Sequence, residues 1–285
     1  MAEGCEGNCS SCGVSGCNSR NGGIAKAPQN EASDIKHVVA VISGKGGVGK
    51  SMVTSLLANS MQAQGNKVGI LDADITGPSI PRMYGVTEKA GYDGKNILPA
   101  ETINDIKLMS INLLLDDPSD PVLWRGTLIS NAVKQFWTDV AWGGVDYMFV
   151  DMPPGTGDVA LTVMQSLPID GIVIVTSPQE LVGMIVSKAV KMAEMMNVPV
   201  LGIVENMSYF KCPDCGEIHE IFGKSRVKEV ADEYGIDTVV RLPMNPELSG
   251  LCDQGRGDVL GSEGLPEEFE KLSERMKTLK TVENS

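Results

Sequence analysis

The sequence predicts an α/β fold, a doubly wound and mostly parallel sheet with helices on both faces. Three observations carry that expectation. Short, continuous apolar runs recur along the chain, as strands buried on both faces require. Helical patterns lie between some of them. The first run leads through a glycine-rich stretch into a helix, the strand–loop–helix order from which such sheets are built.

Taken in order, residues 1–36 are a separate tail in which Gly, Ser, Asn and Cys dominate and large apolar side chains are nearly absent. Such a tail cannot build a core and is expected to be flexible. Residues 37–285 make one domain, within reach of a chain of 285 residues. "HVVAVIS" (37–43) is a β-branched run, and "SMVTSLLANSMQAQG" after it places Val53, Leu56, Leu57 and Met61 at helical spacing before a stopping Gly65. "KVGILDAD" (67–74), "YMFVDMPPG" (147–155), "GIVIVTSP" (171–178) and "VPVLGIVENM" (198–207) are the further strands, and "LVGMIVSKAVKMAEMM" (181–196) is a helix between two of them. Ligands are expected at the C-terminal ends of the strands, whose order the sequence leaves open.

The net charge of −13 and pI near 4.6 argue against nucleic-acid or anionic-membrane partners, either of which needs a basic face. No apolar run approaches the ~20 residues of a membrane span. The N-terminus "MAEGCEGNCSSCG" has neither a basic nor an apolar leader segment, so a cytoplasmic protein is expected. In a reducing compartment, seven cysteines in clusters suit metal or redox chemistry better than disulfides.

"SGKGGVGKS" (43–51) carries the skeleton Gly44-x-x-x-x-Gly49-Lys50-Ser51. Backbone N–H groups, a helix N-terminus and Lys50 would cradle nucleotide phosphates there, and the Ser51 hydroxyl would ligate magnesium. The strand before it and the helix after it give the motif its context. Asp151, ending "FVD", is the carboxylate expected on the metal's water shell, with Gly155 beside a terminal phosphate. Asp72 and Asp74 end another strand two residues apart and project in the same sense if it stays extended. One such aspartate can position the water that attacks a γ-phosphate; the alternative is a polar pair entering the "GPSIP" turn.

Gly44-Lys45-Gly46-Gly47-Val48-Gly49-Lys50-Ser51 resembles the deviant Walker A motif of the MinD/ParA-like ATPases. "LDADITGPSIP", "VDMPPGTGD" and "ENMSYFKCPDCG" are similar to segments of the Mrp/ApbC family of iron–sulfur cluster carriers, over about residues 37–250. The resemblance implies a P-loop NTPase of the MinD-like type that binds ATP and magnesium, hydrolyses ATP slowly and works as a homodimer. It also implies that a four-iron four-sulfur cluster is assembled or passed to apo iron–sulfur proteins. Lys45 would be the signature lysine that reaches the nucleotide of the other subunit while Lys50 acts in cis; otherwise Lys45 is a solvated loop lysine. Asp74 would stand at the switch position associated with hydrolysis, Asp72 near the magnesium, and Asn206 against adenine, where a plain turn asparagine is the alternative.

Cys212-Pro-Asp-Cys215 alone fits half a zinc ribbon, a redox pair or half an iron–sulfur site, because two thiolates cannot complete a four-ligand set. The resemblance implies that two chains bridge one cluster with four thiolates. His219 is a lone histidine and is not expected to be a ligand. Cys5, Cys9, Cys12 and Cys17 supply four sulfurs in the tail, enough for a second cluster or for zinc. Some scaffold relatives of the family carry an N-terminal cysteine cluster with a wider first gap than the three residues between Cys5 and Cys9. Cys252 has no local partner. "VLWRGTLISNAVKQFW" (122–137) resembles the family's Trp-Arg-Gly segment and begins a helix. The final "LPEEFEKLSERMKTLKT" is helical but lacks the Lys-rich amphipathic face of a membrane-targeting helix. Three functions follow: an ATP-dependent cluster scaffold or carrier, a ParA/MinD-like positioning ATPase, and a zinc-stabilised nucleotide sensor.

Overall fold

The computed structural model describes residues 26–75, 77–115, 126–178, 182–261 and 265–279. Their first half forms β1 (Ser33–Ser43), α1 (Lys50–Ala63), β2 (Val68–Asp72), α2 (Ile80–Met83), β3 (Gly91–Tyr92), β4 (Ile97–Leu98), β5 (Ala100–Glu101), β6 (Lys107–Met109), α3 (Gly126–Thr138) and β7 (Gly143–Asp151). The second half forms α4 (Asp158–Ser166), β8 (Gly171–Thr176), α5 (Val182–Met196), β9 (Val200–Lys211), β10 (Ile218–His219), α6 (Val227–Glu233), β11 (Val239–Pro243), α7 (Pro246–Asp253) and α8 (Glu267–Lys277).

Among the described residues nine strands share one sheet, in which β5, β6, β2, β7, β1, β8 and β9 lie side by side. β11 pairs with β9 in parallel, while β10 pairs antiparallel with the far end of β9. Within this sheet, among the described residues, only β5 on β6 and β10 on β9 run antiparallel, so the expected doubly wound parallel architecture is observed. β1 is central because its apolar run serves two faces at once. Val38, Ala40 and Ile42 pack with Trp137, Trp142 and the residues of α3–α6, while Val39 and Val41 pack with Leu56, Leu57 and Phe269 on the side of α1 and α8. Alternation is therefore present within a run that looks uniformly apolar.

β1 reaches further back than its apolar run. Ser33, Asp34 and Ile35 already pair in parallel with Gly143, Gly144 and Val145. Ahead of them, Ala27 is buried, its N–H donating to Ser166 O at 2.8 Å and its carbonyl accepting from Trp137 Nε1 at 3.1 Å. Lys26 Nζ donates to Met164 O and Leu167 O, at 2.9 and 2.7 Å, at the C-terminus of α4, where backbone carbonyls attract a cation. Residues 26–36 therefore pair with and pack against the domain, across the boundary expected at 36. Composition hid this because the segment is held by backbone pairing and by side-chain hydrogen bonds of Lys26, Gln29, Asn30 and Ser33 rather than by apolar bulk. Residues 1–25, with Cys5, Cys9, Cys12 and Cys17, and the Trp124-Arg125 pair lie outside the described residues. Among the described residues no helix is long and apolar enough to cross a membrane.

Candidate functional site

The phosphate loop follows from β1 and α1. β1 ends at Ser43, α1 starts at Lys50, and the turn between them needs left-handed backbone at Gly47 (φ 79°) and Gly49 (φ 84°), which glycine adopts without strain. A Cβ on Gly49 would also collide with the Asn206 side-chain amide. Ser43 Oγ donates to Lys45 O at 3.0 Å, and the N–H of Gly155, itself at φ 92°, donates to Ser43 O at 2.9 Å. The loops after β1 and β7 are thus joined at the C-terminal edge of the sheet.

Beneath the loop lies a buried charge cluster. Lys50 Nζ is 2.7 Å from Asp151 Oδ1 and 3.8 Å from Asp74 Oδ2. Ser51 Oγ donates to Asp151 Oδ2 at 2.6 Å, and Thr54, one helical turn after Lys50, donates to Asp151 Oδ1 at 2.9 Å. Asp72, next to Asp151 in the register of β2 and β7, accepts from the Asp74 N–H and the Ser110 hydroxyl, both at 3.1 Å. Burial, and then the neighbouring Asp151, push the Asp72 carboxyl up to about 8, against the pull of Lys50. Three carboxyl groups thus face a single buried ammonium. The surplus of oxygen donors and negative charge is what a hard divalent cation requires, so Ser51 and Asp151 fit magnesium.

Above the cluster opens a cavity of about 600 Å³. Lys45, Lys50, Ser51, Asp74 and Asn206 line it, so the structure brings these expected residues to one place, with Asp72 and Asp151 in a layer below. Asn206 is buried, and its Nδ2 donates to Val48 O at 3.0 Å, tying the end of β9 to the phosphate loop. Sequence reasoning missed the further lining residues Arg82, on α2, and Met207, Met244, Leu248 and Cys252. One signal was available: in "NPE", Asn245 caps α7 by accepting from the N–H groups of Glu247 and Leu248 at 2.9 and 3.4 Å, with Pro246 in the first turn. Burial pushes the Cys252 thiol up, which suits a wall residue rather than a ligand.

The second site is carried by the same strand. β9 runs on to Lys211, past its pairing with β8, and folds back through a turn in which the Cys212 N–H donates to Glu217 O and the Gly216 N–H to Cys212 O, both at 2.9 Å. Gly216 permits that turn at φ 75°. Both thiols therefore sit on one tight turn, with Cys215 exposed and Ile218, Ile221 and Phe222 exposed close by in sequence. N–H groups of Cys215 and Asp214 hold the Cys212 thiol below the usual range by favouring its thiolate. Among the described residues no group of three or more His, Cys, Asp or Glu side chains is placed to hold a metal, so the pair has no third ligand there. His219 Nε2 lies 3.9 Å from Glu217.

A family model described as ParA, NUBPL iron-transfer P-loop NTPase, matches residues 34–279. An iron-sulfur cluster carrier protein of Methanocaldococcus jannaschii is 44% identical over 282 residues, which are 97% of each chain. A nucleotide-binding protein of Archaeoglobus fulgidus, solved in complex with ADP, superposes with a TM-score of 0.73 and 46% identity over 83% of this chain and 91% of its own. The MinD cell division protein of Aquifex aeolicus, with a TM-score of 0.57 and 18% identity over 85% and 95% of the two chains, shares the fold. A phosphate loop on the central strand, a buried lysine–carboxylate cluster beneath it and these matches together establish that the chain belongs to the NUBPL iron-transfer family of P-loop NTPases.

Proposed function

We propose that the chain is an ATP-hydrolysing carrier of iron–sulfur clusters, in which two copies hold one four-iron four-sulfur cluster through Cys212 and Cys215 of each and deliver it to apo iron–sulfur proteins. The observation that carries this reading is the pair of thiols on one exposed turn, with no third ligand among the described residues, at the end of a strand that also lines the nucleotide cavity. Two such pairs, one from each of two chains, supply the four thiolates of a cluster.

At the nucleotide end, Lys50 and the loop N–H groups bind the phosphates, Lys45 supplies charge to the partner's nucleotide, and Asn206 stands where adenine would contact the loop. Magnesium, held by Ser51 and Asp151 with Asp72 behind them, would offset the charge of the β- and γ-phosphates when bound. Asp74 orients the attacking water and accepts its proton; the bond from the water oxygen to the γ-phosphorus forms as the bond from that phosphorus to the β–γ bridging oxygen breaks, leaving ADP and phosphate. ATP state biases the dimer between holding and releasing the cluster. The four tail cysteines, Cys5, Cys9, Cys12 and Cys17, supply sulfurs for a second cluster or for zinc.

Anaerobic reconstitution with iron and sulfide tests this. The expected result, with the four tail cysteines changed to serine, is four irons per two chains, an iron–sulfur absorption band, and transfer to an apo-ferredoxin-type acceptor. Colourless protein that retains only zinc would overturn it in favour of a zinc-stabilised sensor.

A further inference from the structure

Between the nucleotide cavity and the cysteine turn lies a chain of polar contacts that neither site uses. Glu205 on β9 is fully buried, and the register of the sheet sets it beside Thr176 on β8 and Arg241 on β11. Ser208 Oγ donates to Glu205 Oε2 at 2.5 Å. Arg241 Nε donates to Ser208 Oγ at 2.7 Å and lies 3.6 Å from the same Glu205 oxygen. The other end of the guanidinium, Nη2, donates at 3.0 Å to Glu220 Oε1, one residue beyond β10. Arg241 also lies over the Tyr209 ring, 5.8 Å from its centroid. A buried carboxylate is costly unless it stays compensated, and Glu205 Oε1 has no hydrogen-bond partner among the described residues. Its compensation therefore rests on Ser208 and Arg241, and through Arg241 it holds the returning arm of the cysteine hairpin.

The same two strands touch the cavity with their intervening residues. Asn206 is bonded to Val48 of the phosphate loop, and Met207, which lines the cavity, stands at φ 56°, a left-handed conformation that a bulky residue keeps only when its surroundings fix it. At the end of β11, Pro243 and the next residue, Met244, line the cavity two and three residues after Arg241, and the Met244 N–H donates to Tyr209 O at 2.6 Å. Segments 205–209 and 241–244 thus face the nucleotide with one set of residues and the hairpin with the other. They have little freedom to yield locally.

We propose that Glu205 and Arg241 are positioning residues that fix the orientation of the cysteine hairpin to the state of the nucleotide cavity. This rests on the reading that nucleotide occupies that cavity and that Cys212 and Cys215 carry the cargo. A shift of the phosphate loop at Val48 moves Asn206 and Met207; Ser208 and Glu205 follow, and Arg241 passes the displacement to Glu220.

The test uses the full chain, metal-free and anaerobic. Alkylation rates of Cys212 and Cys215 are read by peptide mass spectrometry with and without a non-hydrolysable ATP analogue and magnesium, and analogue affinity is measured by calorimetry. In the parent, nucleotide should change the alkylation rates by about fivefold, the lower end of ordinary coupling between sites. Arg241→Gln should bring that ratio close to one while analogue affinity stays within about twofold, and Arg241→Lys, which keeps the charge, should restore part of the response. Glu205→Gln should act like Arg241→Gln. Because the readout is the response to nucleotide, a merely loosened hairpin, which changes only the basal rate, does not reproduce it. An unchanged ratio in Arg241→Gln, or a parent that binds the analogue with no change in thiol rates, overturns the proposal. A parent that binds no nucleotide overturns the nucleotide reading and the coupling with it.

Discussion

The two ends of the functional region of β9 are built on opposite plans. At Asn206 the strand meets a site whose charged side chains are buried and bonded to one another, with Lys50 bound to Asp151 and Asp151 also accepting from Ser51 and Thr54. At Cys212 it meets a turn that carries two free thiols and no third metal-ligating side chain among the described residues. The difference teaches that the lysine–carboxylate cluster is preorganised within one chain, whereas the thiol pair, in the function proposed above, is completed by a second. Damage at the first end should therefore cost stability as well as function, and damage at the second should cost function alone.

The largest effect is expected from Lys50→Ala. It leaves Asp151 buried without its cation, a loss of roughly 3–5 kcal/mol for a broken buried pair, and removes the countercharge of the phosphates. Denaturant melts and ATP calorimetry should both register it; a variant as stable as the parent would break the contrast between the two ends. Cys212→Ser and Cys215→Ser should abolish cluster binding, in protein whose tail cysteines are already serine, yet change stability by less than about 0.5 kcal/mol, as surface substitutions do. Iron counting beside the same melts checks this. Asp74→Asn should lower ATP turnover by about a hundredfold with affinity little changed, the effect of removing a group that positions water and takes a proton. Full turnover would return Asp74 to a turn residue.

Gly49→Ala should sharpen the comparison further, because it strains the φ 84° turn and presses on Asn206. A loss of about 1–2 kcal/mol is expected, with weakened ATP binding and unaltered cluster content. The smallest effect separates thiols by pH. Cys212 is lowered by backbone N–H groups and Cys252 raised by burial, so half-maximal alkylation of Cys212 should come at lower pH than that of Cys252. The reverse order, read by peptide mass spectrometry, would mean that the hairpin turn does not hold its thiolate.

Much of this was legible in the residues. The runs at 37–43, 67–74, 147–155, 171–178 and 198–207 became β1, β2, β7, β8 and β9, since strands buried on both faces must be apolar throughout. The phosphate loop was legible because its glycines and Lys50 are contiguous. Strand order was not, because no local pattern distinguishes the neighbours of a buried strand. β5 and β6, two and three residues long, are too short to show a period. α7 is eight residues long and fully buries none of them, so its short stripe of Leu248, Leu251 and Cys252 does not stand out in the sequence, although it walls the cavity. The Glu205–Arg241 contact joins strands through a register that only the fold defines.

The position of β1 has a consequence for how the chain acquires its activity. β1 pairs on one side with residues 143–151 and on the other with residues 171–175, so the strand from which the phosphate loop springs waits for partners far downstream. Such non-local pairing folds slowly, and the early chain holds an apolar strand with both edges open. During synthesis, nucleotide binding should appear abruptly once β8 and then β9, which carries Asn206, have emerged, instead of growing with length. A ribosome-stalled series whose emerged chain ends on either side of residue 211 would show that step, and chaperone demand should be greatest just before it.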